Sequence, residues 1–183
     1  MLEKQLILYC SPTLAGLKSA GLFTMIFNDD VQKKNAEEQF KCRFSQKGIS
    51  LKWLGVKNGR TLVYIYRKNM LSKELQDTGT KDFLIQYGYD TSDIDNCLEM
   101  LKMRISQCSE FPHEIGIFLG YPLEDVKGFI DNKGRNYRFS GAWKIYGNEK
   151  DTLKLFEKYN HCTDMYSRLY AGGRPIEKLA VRC

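Results

Sequence analysis

No apolar run in this 183-residue chain approaches the roughly 18 residues that a membrane-crossing helix requires. The first ten residues, from Met1 to Cys10, carry neither a basic leader nor a long apolar stretch with a small-residue cleavage site. The expectation is therefore a protein without a signal peptide, resident in the cytoplasm. Prolines are few, at four, and no linker, low-complexity tract or internal repeat divides the sequence. Histidine occurs only twice, and His113-Glu114 lacks the second histidine, four residues beyond the first, of a metalloprotease helix. The six cysteines, Cys10, Cys42, Cys97, Cys108, Cys162 and Cys183, include no C-x-x-C pair. In a reducing compartment such scattered thiols stay free, as small apolar side chains or as reactive groups. The formal charge of +6 is spread along the chain, with no basic block of five or more and no nucleic-acid motif, which describes a solvated basic surface.

What is present suits a folded domain. Apolar residues make up 43% and charged residues 27%, enough to bury a core without staples. An apolar segment at 21–27 reads as a strand. Asn28-Asp29-Asp30 then caps a polar helix that reaches about Gln46, with Lys47-Gly48 as its stop. Residues 49–56 and 61–67 read as two strands joined through Asn58-Gly59, whose tolerance of positive φ suits a tight hairpin. Ser92-Asp93 caps a helix whose stripe carries Ile94, Cys97, Leu98, Leu101, Ile105 and Cys108. The continuously apolar residues 115–119 read as a strand covered on both faces, and Pro122 with Glu124 and Asp125 opens the next helix. A short strand at 142–146 precedes the longest helix, 149–171, which Gly172-Gly173 ends. The expected architecture is one α/β domain over residues 1–183. Its mixed sheet would have about five strands, one hairpin among them, with flanking helices.

Three separated segments are distinctive: Cys10-Ser-Pro-Thr-Leu-Ala-Gly16, the run from Glu110 through His113-Glu114-Ile115-Gly116-Ile117-Phe118-Leu119-Gly120-Tyr121-Pro122 to Val126, and Trp143-Lys-Ile-Tyr-Gly147. In this order they resemble the bacterial family known as domain of unknown function 3793, over essentially the whole chain. That family carries no assigned activity, so the resemblance implies none.

The residues themselves offer candidates. Ser11 and Pro12 read as the cap and first turn of a helix, which would set the Cys10 thiol beside free amide groups and lower its pKa. His113, ahead of an apolar strand, would act as its base, with Glu114 or Asn148 as orienting partner. A cysteine at a helix start and a histidine leading a strand resemble the layout of papain-like thiol hydrolases, although here Pro122 starts a helix where those enzymes continue into strands. Gly120, Tyr121 and Glu114 would line the substrate side. One reading is thus a thiol-dependent hydrolase or transferase. A second is a non-catalytic protein holding a metal or haem through Cys10, His113 and Cys162. A third is a partner-binding module in which these residues only pack.

Overall fold

The structure, a computed structural model, describes residues 2–107 and 110–182. The hairpin read from Asn58-Gly59 forms the centre of the fold. Strands β2 (Ile49–Lys57) and β3 (Arg60–Arg67) pair antiparallel, and the turn residues Asn58 and Gly59 both adopt positive φ, 52° and 71°. That conformation matches the twist of the strands and is open to asparagine and glycine. Strand β1 (Ala20–Met25) adds antiparallel to the other side of β3, giving the order β1-β3-β2. A two-stranded ribbon, β4 (Phe139–Ser140) and β5 (Lys144–Ile145), stands apart from that sheet. The α/β class is as expected. The single five-stranded mixed sheet is replaced by sheets of three and two strands, and every pairing among the described residues is antiparallel.

The main reason for the difference is residues 115–119. They form a four-residue helix, α6 (Ile115–Phe118), and not a strand. A short apolar run buried on all sides gives no periodicity to separate strand from helix. Here the backbone closes on itself, with the Ile117 amide donating to the Glu114 carbonyl and Gly120 to Ile117.

Helices cover both faces of the three-stranded sheet. Side chains alternate across a strand, and the two sets define two cores. Ala20, Leu62, Tyr64 and Tyr66 face α3 (Lys68–Gln76), α4 (Thr78–Gln86), α5 (Ile94–Gln107), α6 and α7 (Leu123–Asp131). Phe23, Met25, Val63 and Ile65 face α1 (Leu2–Leu14), α2 (Asp30–Phe44) and α9 (Ile176–Leu179). The long α8 (Glu149–Ala171) packs along α1, and its bounds coincide with those read from the sequence. A smaller cluster of Trp143, Ile145 and Phe156 joins the ribbon to α8. Among the described residues no helix is long and apolar enough to cross a membrane.

Helix α1 also departs from the sequence reading. It runs uninterrupted through Pro12. Proline removes one rung of the ladder, and the neighbouring Ser11 hydroxyl donates back to the Ile7 carbonyl at 2.5 Å, holding the turn closed.

Candidate functional site

Cys10 therefore lies eight residues into a helix and not at its start. It is fully buried in the α1 core, with its sulfur packed over Gly21, where an added Cβ would come within 2.7 Å. Burial pushes its thiol up to about 12, a shift that the charge of Lys18 only partly opposes. This corrects the expected activated thiolate, since a desolvated thiol holds its proton. His113 is exposed on the opposite side of the sheet, among Phe111, Ile115 and Phe129. Cys10 packs in the core on one face of the sheet, while His113 leads into α6 on the other face and shares its pocket with no cysteine, so the structure does not bring the pair together. Cys162 is buried on α8 with its thiol raised by desolvation, and among the described residues no three of His, Cys, Asp and Glu cluster closely enough to hold a metal. Cys97 packs in the core of α5, whereas Cys108 lies outside the described residues.

Glu114 is 2% exposed and serves α6 as an anchor. It accepts from Arg104 Nε of α5 and from the Tyr89 hydroxyl at 3.1 Å, while the guanidinium also lies over the Tyr87 ring. A buried carboxylate held this way fixes the loop that carries His113. Asn148, the other expected orienting residue, instead caps α8 by accepting from the Asp151 amide.

His113 and Tyr121 do share a site. Together with Phe111, Phe129, Val126 and Trp143 they line a pocket of about 390 Å³ at the junction of α6, α7 and the ribbon. The walls are mainly aromatic: Tyr121 stacks on Trp143 at 4.3 Å between centroids, and His113 leans on Phe129 at 4.8 Å. One buried carboxylate holds the architecture. Asp125, at the start of α7, accepts from Trp143 Nε1 (2.8 Å) and from the amides of Tyr146 (2.7 Å) and Gly147 (2.9 Å). It thereby fastens the ribbon to the helix. Lys144 Nζ donates to the Gly134 carbonyl at 2.6 Å and lies over the Phe129 and Tyr137 rings, placing one cation at the rim. Pro112 and Arg104 continue the concave surface beyond His113.

Behind Tyr121 lies a second group that the sequence reading did not single out. Lys18, from the loop after α1, sets its ammonium 5.1 Å from the Tyr121 ring centre and 5.7 Å from that of Tyr159. Burial pulls its pKa down to about 8, against the opposing pull of Cys10 and Glu74. Glu74 of α3 is pushed upward by desolvation, partly offset by nearby Ser19 and Lys18. Ser19 lies close to Glu74, yet Ser19 Oγ and Glu74 Oε2 are buried without an aligned hydrogen bond. Gly120 closes this corner: its φ of 69° suits glycine, and a Cβ there would sit 2.7 Å from Ser19 Oγ. A lone lysine before an apolar strand was the only local signal for this group. Tyr159 and Glu74 reach it from helices distant in sequence.

An α/β fold with an aromatic pocket, and with the partly buried Lys18 and Glu74 behind its Tyr121 wall, is what these residues build. The chain belongs to the family described as protein of unknown function (DUF3793), which matches residues 6–180. No curated protein matches the chain, and no solved structure does.

Proposed function

We propose that the chain, acting as one α/β unit, binds a small, flat, mainly apolar molecule bearing an anionic or hydrogen-bond-accepting group. The aromatic pocket between α6, α7 and the ribbon is its site. The observation that carries this reading is the convergence of Phe111, His113, Tyr121, Phe129 and Trp143 on one cavity of about 390 Å³. That volume lies within the range of small-molecule sites, and apolar walls with a few convergent polar groups are their usual composition. His113 and the rim cation Lys144 supply the polar contacts, the Tyr121 and Phe129 rings the stacking surfaces, and Glu114 the support of the His113 loop. This reading uses no thiol, in keeping with the burial of Cys10 in the core beneath α1.

The test is a fluorescence titration with 8-anilinonaphthalene-1-sulfonate, an aromatic anion that brightens in apolar sites. The expected result is saturable binding of one probe per chain, weakened roughly tenfold by Phe129→Ala and severalfold by His113→Ala, as loss of a stacking wall and of one polar contact predicts. Binding without saturation, or equal binding to both variants and the parent chain, overturns the proposal.

A further inference from the structure

We infer that β1 is the interface of a homodimer, in which two copies of the chain pair antiparallel through their free β1 edges. The two three-stranded sheets then become one of six strands. The site is separate from the aromatic pocket and stands whatever that pocket binds.

The two edge strands of the sheet are built differently. The outer edge of β2 carries the devices that block further pairing: Lys52 and Lys57, a register shift between Trp53 and Gly55, and cover from α2 and α5. Strand β1, with the sequence Ala-Gly-Leu-Phe-Thr-Met, has no charge, no proline and no register shift. Its ladder phase is set where the Arg67 amide donates to the Ser19 carbonyl at 2.8 Å. Bonded and unbonded pairs alternate along an antiparallel ladder. Residues 19, 21, 23 and 25 therefore bond to β3, whereas Leu22, Thr24 and, just beyond the strand, Ile26 turn their N–H and C=O groups outward. Among the described residues no other backbone group bonds to these three.

That edge is open. Thr24, Met25, Ile26, Phe27 and Asn28 are consecutive, yet all five line one groove of about 520 Å³. Side chains alternate between the faces of a strand, so neighbours share a groove only where the backbone edge is its floor. The start of α1 and one side of α2 form the walls.

The strand is its own complement. With a two-fold axis at Thr24, Thr24 faces the partner's Thr24, Leu22 the partner's Ile26, and Phe23 the partner's Met25. Apolar thus meets apolar on both faces. The fully buried Ala20 closes the edge at its other end, which excludes registers centred nearer to it. Charge favours the same occupant. From Gln5 to Asn28 the only charged residue is Lys18, in a chain of formal charge +6, so two like-charged copies approach here with little repulsion. The one charged residue lining the groove, Arg60, is tied to Thr24 Oγ1 at 2.9 Å. Tyr9 of α1, stacked on Phe23 yet 56% exposed, and Ile26, 57% exposed, lie at this edge, where pairing removes them from water.

The experiment is sedimentation equilibrium of the full chain and of Thr24→Pro and Thr24→Lys, with hydrogen exchange of the parent. The Thr24 N–H points outward, so proline leaves the β1–β3 ladder whole and removes only bonds to a partner. The parent is expected at the mass of two chains at tens of micromolar. Each substitution should weaken dimerisation by at least roughly tenfold, through lost backbone hydrogen bonds or through a lysine placed on the paired edge. In the parent dimer the Leu22 and Thr24 amides should exchange slowly, although β3 does not bond them. A parent that stays monomeric at several hundred micromolar overturns the inference. So does a dimer whose Thr24 amide exchanges as fast as an exposed one, or one that both folded variants form as tightly as the parent.

Discussion

On the side of the sheet covered by α1, α2 and α9, the buried cation Arg67 donates to the backbone carbonyls of Thr13 (2.6 Å), Leu14 (2.7 Å), Lys47 (3.2 Å) and Val181 (2.9 Å). On the side covered by α3, α5, α6 and α7, carboxyl groups face aromatic rings and cations instead: the buried Glu114 with Arg104 and Tyr89, and the partly buried Glu74 with Ser19 and Lys18. The first face uses its polar group to tie distant chain segments together. The second uses its polar groups to hold α6 and the aromatic pocket in place. Burial raises the Cys10 thiol on the first face and lowers the Lys18 ammonium beside the second for one reason: it favours whichever protonation state is uncharged.

The comparison can be broken most forcefully at Arg67. Replacement by leucine removes a charged donor from four carbonyls, which lie 20, 53 and 54 residues before it and 114 residues after it in sequence. A loss of about 3–5 kcal/mol in urea unfolding is expected, the range for stranding several buried groups at once. Glu114→Ala tests the other face, leaving the partly exposed Arg104 without its carboxylate. About 2–4 kcal/mol should be lost, and probe binding at the His113 pocket should weaken with it. Cys10→Ser introduces a hydroxyl into a dry core and should cost about 1–3 kcal/mol. The same burial predicts that iodoacetamide labels the exposed Cys42 in the native protein but reaches Cys10 only on unfolding.

Lys18→Met sharpens the contrast through pH. The folded pKa of Lys18, about 8, lies below its unfolded value, so the unfolded chain binds more protons between roughly pH 8 and 10.5. Stability from this group rises with pH across that window, and its full penalty is present below it. The methionine variant should therefore be more stable than the parent by about 1–3 kcal/mol at pH 7, a gain that disappears near pH 10. In the parent, Cys10 runs the other way: its folded value near 12 exceeds the unfolded thiol, so its contribution falls as pH rises above about 9. Comparing the two pH profiles, parent and variant, separates the groups. The smallest stability effect belongs to His113→Ala, less than about 0.5 kcal/mol for an exposed side chain, against a clear loss of probe binding.

Local chemistry made much of this legible. Asn58-Gly59 marked the hairpin because positive φ is open to few residues, and Asp29 and Gly172 marked helix ends through groups that sit within a turn of them. The apolar run from Ile115 misled because its burial comes from α3 and α7 together, a fact of packing with no trace in spacing. Cys10 misled for a related reason: Ser11-Pro12 has the form of a helix start, yet upstream residues Leu6 and Ile7 find a core to pack on and carry the helix through. Of the expected site, Tyr121 and His113 meet in one pocket and Gly120 closes the neighbouring corner, while the cysteines remain in the cores.

By itself, the sequence determined the elements whose causes are short in range: caps, the tight turn, the amphipathic stripes and the family. Only tertiary structure decided which side chains lose water together. That choice raised the Cys10 thiol, lowered the Lys18 ammonium and gathered five aromatic walls from separate segments, because desolvation depends on what surrounds a group in space and not on its neighbours in the chain.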